Sequence, residues 1–90
     1  MSVRIWMGDS IHRVRSRLVK NRTALINEIR GLNLEYVIAL PQGASKVKNR
    51  LVEVIDNQEN GLTASSRELM RELYDELVAI DARIKKWNRK

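Results

Sequence analysis

The sequence predicts an all-α protein: a hairpin-like bundle of a long helix, a short helix and a second long helix, expected to be completed by dimerisation. Three observations predict it. Apolar residues recur at helical spacing over three stretches. Turn residues, Pro41-Gln42-Gly43 and Asn60-Gly61, separate those stretches. Phe is absent and aromatic residues make up only 4% of the 90, so long aliphatic side chains must fill the core, as in helical bundles. A chain this short forms one domain with a modest core, which a second copy would supplement.

Residues 1–10 read as an extension ahead of the first pattern, and Asp9-Ser10 supplies N-cap chemistry for a helix over 11–38. Its apolar stripe is Ile11, Val14, Leu18, Leu25, Ile29, Leu32 and Tyr36, with a polar gap at Asn21 or Arg22. Gly31 inside this helix costs about 1 kcal/mol relative to Ala and is useful where another backbone must come close. The pattern weakens over Tyr36 to Leu40, and Pro41 disfavours helical backbone at Leu40. Ser45 can cap a second helix over 45–59, whose apolar positions are Val47, Leu51, Val54 and Ile55. Asn60-Gly61 ends it, since both residues tolerate the left-handed conformation. Thr63 or Ser65 caps a third helix over 64–88, and Ser65 and Glu68 have the spacing of a capping box. Met70, Leu73, Leu77, Ile80, Ile84 and Trp87 form the cleanest heptad seam in the chain and are the candidate dimerisation seam. The connections are short, so consecutive helices are expected to run antiparallel.

The net charge is +6 and the isoelectric point is near 10.2. That balance favours a polyanionic partner and says nothing of the fold. It is also uneven. Residues 1–30 hold seven Lys/Arg against two acids, 31–60 three against four, and 61–90 seven against five. Arg13, Arg17 and Lys20 share one side of the first helix at i, i+4 and i+7, Arg15 and Arg22 lie one heptad apart, and Arg30 follows. No acid occurs between Asp9 and Glu28, so these charges are not neutralised within their own helix. Guanidinium groups suit phosphate oxygens through paired hydrogen bonds. Arg13, Arg15, Arg17, Lys20, Arg22 and Arg30 are therefore the candidate nucleic-acid-binding residues, with a solvated helix face as the alternative. No recognition-helix motif for base-specific reading is present.

Other chemistries find little support. With no cysteine and a single histidine, His12, disulfides, thiolate zinc sites and multi-histidine metal sites are excluded. His12 has no Ser, Cys or Asp partner at a telling spacing and reads as a surface or capping residue. Glu53, Asp56 and Glu59 at i, i+3 and i+6 read as a solvated face of a short helix, not a cation site. Trp87 falls in register with the seam and reads as packing. Trp6 could stack on bases, but the sequence does not place it. No glycine-rich phosphate loop exists. No catalytic residue, metal, cofactor or small-molecule substrate is expected. No apolar run approaches the roughly 20 residues that span a bilayer, and the start does not read as a signal peptide. The expected location is the cytoplasm, at the nucleoid if nucleic acid is bound.

The wording of the chain carries a further signal. His12-Arg13-Val14-Arg15, followed by Arg17-Leu18-Val19-Lys20-Asn21-Arg22-Thr23-Ala24-Leu25-Ile26-Asn27-Glu28-Ile29-Arg30-Gly31-Leu32, resembles a segment of DEDD-type insertion-sequence transposases of the 110/1111 class. That segment reads like R-L-V-x-x-R-T-A-L-x-N-x-I-R-G-L. Leu40-Pro41-Gln42-Gly43 resembles the L-P-x-G that follows it, and Glu59-Asn60-Gly61-Leu62 and Arg67-Glu68-Leu69 match in order. The similarity covers roughly residues 12–85. Val37 stands where the family often has Gly, and residues 1–11 do not look like the family sequence.

The resemblance implies a part of an enzyme. In that family a RuvC-like nuclease domain with four acidic metal ligands precedes the segment, and a domain with a catalytic serine follows it. None of those residues maps here, and Ser10, Ser16, Ser45, Ser65 and Ser66 match no catalytic motif. The chain is thus expected to lack both catalytic domains and to act in self-association, with contact to DNA or a guide RNA, during DNA transposition. Two other readings stand beside it. One is a structural helical dimerisation domain with no nucleic-acid ligand. The other is a small enzyme, because the long-short-long plan looks like the all-helical chorismate mutases, although the local wording does not match them.

Overall fold

The computed structural model describes residues 3–88, with side chains described from Ser10 onward except that of Ala44. Three helices follow in chain order, α1 (Val3–Leu34), α2 (Ala44–Asp56) and α3 (Ala64–Asn88). Among the described residues there is no strand, so the fold is all-α with the long-short-long plan.

α1 begins before the expected cap. It runs from Val3, so Asp9 and Ser10 lie inside the helix and do not start it. No proline interrupts residues 3–10, and adding residues to a formed helix is far cheaper than nucleating one. Trp6 falls within α1, and its side chain lies outside the described ones.

α1 also stops early, at Leu34 rather than residue 38. The Ile38 amide donates to the Asn33 carbonyl at 2.9 Å and the Val37 amide to the Leu34 carbonyl at 2.9 Å. These two bonds make a Schellman cap, with Val37 in the left-handed region at φ 59. Beyond it the chain alternates: Ile38 is half-buried and Leu40 buried, while Val37, Ala39 and Pro41 are exposed. Period-two alternation is the pattern of an extended segment. The apolar run Tyr36 to Leu40 is therefore a strap laid along the bundle, not a fading helix.

The strap changes the topology. Arg22 of α1 bonds Asp81 of α3, Asn33 bonds Met70, and the Tyr36 and Ser66 hydroxyls share a hydrogen bond. α1 and α3 are thus antiparallel. Lys48 of α2 also bonds Asp81, and Arg67 of α3 reaches the Ile55 carbonyl, so α2 and α3 are antiparallel too. It follows that α1 and α2 run parallel, against the expectation of antiparallel neighbours. At a helical rise of 1.5 Å per residue, the chain must travel back roughly 24 Å between Leu34 and Ala44. The cap takes up residues 35–37, so the seven steps from Val37 to Ala44, about 24 Å when extended, must cover that distance.

α2 starts on Gly43, at φ 98, with no side-chain cap, and Ser45 lies inside the first turn. It ends at Asp56, before the expected residue 59, because the carbonyls of its last turn bond groups outside the helix. Thr63 caps α3 by accepting the Ser66 amide at 3.0 Å; Ser65 sits inside the helix.

The core joins Leu25 and Ile29 of α1, Leu40 of the strap, Val47, Leu51, Val54 and Ile55 of α2, Leu62, and Met70, Leu73 and Leu77 of α3. Leu18 and Ile84 are buried further along the α1–α3 pair. Asn33 is fully buried within this core, donating to the Ile29 carbonyl at 2.8 Å. The α3 seam is thus filled from inside the chain: Met70, Leu73, Leu77 and Ile84 are buried, with Ile80 and Trp87 half-buried. A heptad stripe marks a covered face without saying which partner covers it, and here the chain's own helices pack against it. Gly31 is exposed, and an added Cβ would meet nothing within 4 Å, so no close backbone approach accounts for it. The molecule measures 58 × 20 × 16 Å.

Candidate nucleic-acid interface

The register of the bundle decides where charge collects. With Arg22 opposite Asp81, each earlier residue of α1 lies opposite a later residue of α3. Arg13, Arg15, Arg17 and Lys20 therefore run beside Arg83, Lys85 and Lys86. Because α2 is parallel to α1 and Lys48 also meets Asp81, Lys46 and Lys48 join the same end. The basic character that the sequence places in its first third is a property of all three helices at one end of the rod. Asp81 is the single carboxylate among the described side chains there. The other end carries Glu28, Glu35, Glu53, Asp56, Glu68, Glu72, Asp75 and Glu76.

The six candidate residues are not equivalent. Arg13, Arg17 and Lys20 are exposed, whereas Arg15, Arg22 and Arg30 are half-buried. Arg22 holds Asp81 Oδ1 at 3.2 Å, and Lys48 Nζ holds Asp81 Oδ2 at 2.9 Å. One carboxylate therefore clamps three helices together and neutralises part of the basic end. Arg30 stands apart, about 12 Å further along α1 than Arg22. The fold thus brings together Arg13, Arg15, Arg17, Lys20 and Arg22 and leaves Arg30 near the acidic end.

Reading the first helix alone missed Lys46, Lys48, Arg83, Lys85, Lys86 and Asp81. A signal for the clamp was present. Arg22 fills the polar gap between Leu18 and Leu25, and Asp81 lies between Leu77 and Ile84 of the α3 seam. Opposite charges at gaps in two apolar stripes are what facing helices need. No comparable signal announces that α2 joins the basic end, because that depends on the strap.

Other candidates resolve simply. His12 is exposed among the arginines of α1. Trp87 is half-buried, with Lys86 Nζ 5.3 Å from its ring centre. Glu53 pairs with Arg50 at 2.8 Å, and Asp56 and Glu59 are exposed. Shallow grooves occur among the described residues. One lies between α1 and α3, where Glu28 and Glu76 accompany Arg83. Another lies between α2 and α3, where Asp56 and Asp75 accompany Arg71. Each holds two carboxylates and one guanidinium, the wrong balance for the dicarboxylate that a chorismate-mutase-like site would bind. No described helix is long and apolar enough to cross a membrane.

No family model matches the chain, and no solved structure does. Curated sequences do match. A protein named "Probable family 20 transposase" from Pseudomonas aeruginosa is 46% identical over 82 residues, covering 90% of this chain and 24% of that protein. The transposase for insertion sequence element IS1111A of Coxiella burnetii is 42% identical over 76 residues, covering 84% of this chain and 21% of that protein. The chain spans less than a quarter of the length of these curated relatives. Its homologues are thus insertion-sequence transposases, and this three-helix bundle corresponds to one segment of them.

Proposed function

We propose that the chain is a non-catalytic helical module of transposase ancestry, acting in the cytoplasm in DNA transposition. It holds nucleic acid through the basic end of the bundle and associates with a second copy of itself. The observation that carries the nucleic-acid half is the convergence of cationic side chains from three helices on one end, where Asp81 is the one carboxylate among the described side chains. Such a surface recognises the phosphate backbone and not base sequence. DNA and a guide RNA share that chemistry.

Fluorescence polarisation with a labelled DNA duplex and a structured RNA tests the reading. Binding at low salt should weaken log-linearly with salt. About five phosphate contacts would cost roughly 500-fold in affinity between 50 and 200 mM. Replacing Arg13, Arg17 and Lys20 with Ala should weaken binding at least tenfold and flatten the salt slope by about two to three contacts. Because these residues are exposed, the helical circular dichroism should hold. Absence of binding to either probe at low salt would refute the nucleic-acid half and leave the structural dimerisation domain.

A further inference from the structure

The side of the α1–α3 pair turned away from α2 is uncovered. A groove of about 410 Å³ runs along it, and no α2 residue lines it. Leu18 and Leu25 form its floor from α1, and half-buried Ile80 contributes from α3. Charge is ordered along it. By the Arg22–Asp81 register, Glu28 and Glu76 stand at one level, and Arg83 stands with Asn21 near another. Ala24 and Ile80 fall between them. Ile80 is about 6 Å from Glu76 and about 4.5 Å from Arg83 along the helix axis, so the acidic and basic levels lie almost evenly about the middle.

This face is complementary to itself, but only end for end. A second copy laid on it antiparallel places Arg83 on Glu76, and the two-fold repeats the pair. A copy laid on it in the same direction opposes acid with acid and base with base. An isologous contact needs this kind of self-matching patch. We propose that this groove, and not the heptad seam of α3, is the contact face between two copies. They pack antiparallel about a two-fold axis at the level of Ala24, with α1 over α1 and α3 over α3. The proposal rests on the self-association reading above and names its surface.

Sedimentation velocity on the 90-residue chain, with charge variants, tests it. Wild type should dimerise at tens of micromolar. Arg83→Glu should raise the dimer dissociation constant at least tenfold, and adding Glu76→Arg to that variant should restore most of the affinity, because the pair is again complementary. The chain has no cysteine, so introduced thiols report contacts cleanly. Ala24→Cys should be joined to its twin by a short bis-maleimide, whereas Val52→Cys, on α2, should not. A wild-type chain that stays monomeric at 100 micromolar overturns self-association itself. A dimer unmoved by Arg83→Glu, or one in which Ala24→Cys fails to cross-link, keeps self-association and overturns this face.

Discussion

Val37 is the only non-glycine residue with positive φ among those described. It is β-branched, 91% exposed, and closes the Schellman cap of α1. The left-handed conformation costs an L-residue roughly 1–2 kcal/mol, and Val37 recovers little of that through packing. Val37→Gly should therefore raise stability by about 1 kcal/mol after allowing for the extra freedom of glycine in the unfolded chain. For a domain of this size that is a rise in melting temperature of about 4–8 °C, readable by circular dichroism; an unchanged or lower midpoint would count against the cap. This position was half-legible. The resemblance marks it as a position where the family often has Gly, and the left-handed cap gives the physical reason. Asn33 was not legible at all. Leu32 and Tyr36 read as the stripe there, yet Asn33 is the fully buried side chain: its Nδ2 donates to the Ile29 carbonyl and the Met70 sulfur, while its buried Oδ1 accepts no hydrogen bond.

At the scale of elements, the existence of three helices followed from apolar periodicity, while their ends did not. α2 shows why. Thirteen residues with a glycine N-cap make a marginal helix alone. Its C-terminal end is held from outside: the Arg67 guanidinium donates to the carbonyls of Val54, Ile55 and Asn57 at 2.5–3.3 Å and to Asn60 Oδ1 at 3.1 Å. Sequence periodicity gives Arg67 no such role, since a cap supplied from the next helix leaves no local trace. Arg67→Ala should lower stability by about 2 kcal/mol, given that hydrogen bonds from a charged donor contribute about 1.5–3 kcal/mol. Arg67→Lys should recover less than half, because an ammonium lacks the planar fork. Urea midpoints measure the loss, and amide exchange should show it concentrated in α2; a loss spread evenly over the three helices would contradict the cap.

At the scale of the whole molecule, the strap links topology to charge. A short connection would have turned α2 antiparallel to α1 and carried Lys46 and Lys48 toward the acidic end. The extended return sets α2 parallel and brings both lysines to Asp81. The segregation of charge was therefore out of reach of a reading made one helix at a time. Asp81 then acts on two quantities in opposite directions. Its ion pairs are partly exposed, with 21% exposure on Asp81, 34% on Arg22 and 30% on Lys48, so each contributes at most about 1 kcal/mol to stability. The same carboxylate competes with phosphate for Arg22 and Lys48. Asp81→Asn should cost about 1 kcal/mol in unfolding free energy while tightening nucleic-acid binding roughly tenfold at 100 mM salt, with a steeper salt slope as one or two more phosphates are engaged. Polarisation titrations at several salt concentrations, beside a urea melt, read both. If stability falls and affinity stays fixed, Arg22 and Lys48 do not face the phosphate backbone, and the interface narrows to the outer face of Arg13, Arg17 and Lys20.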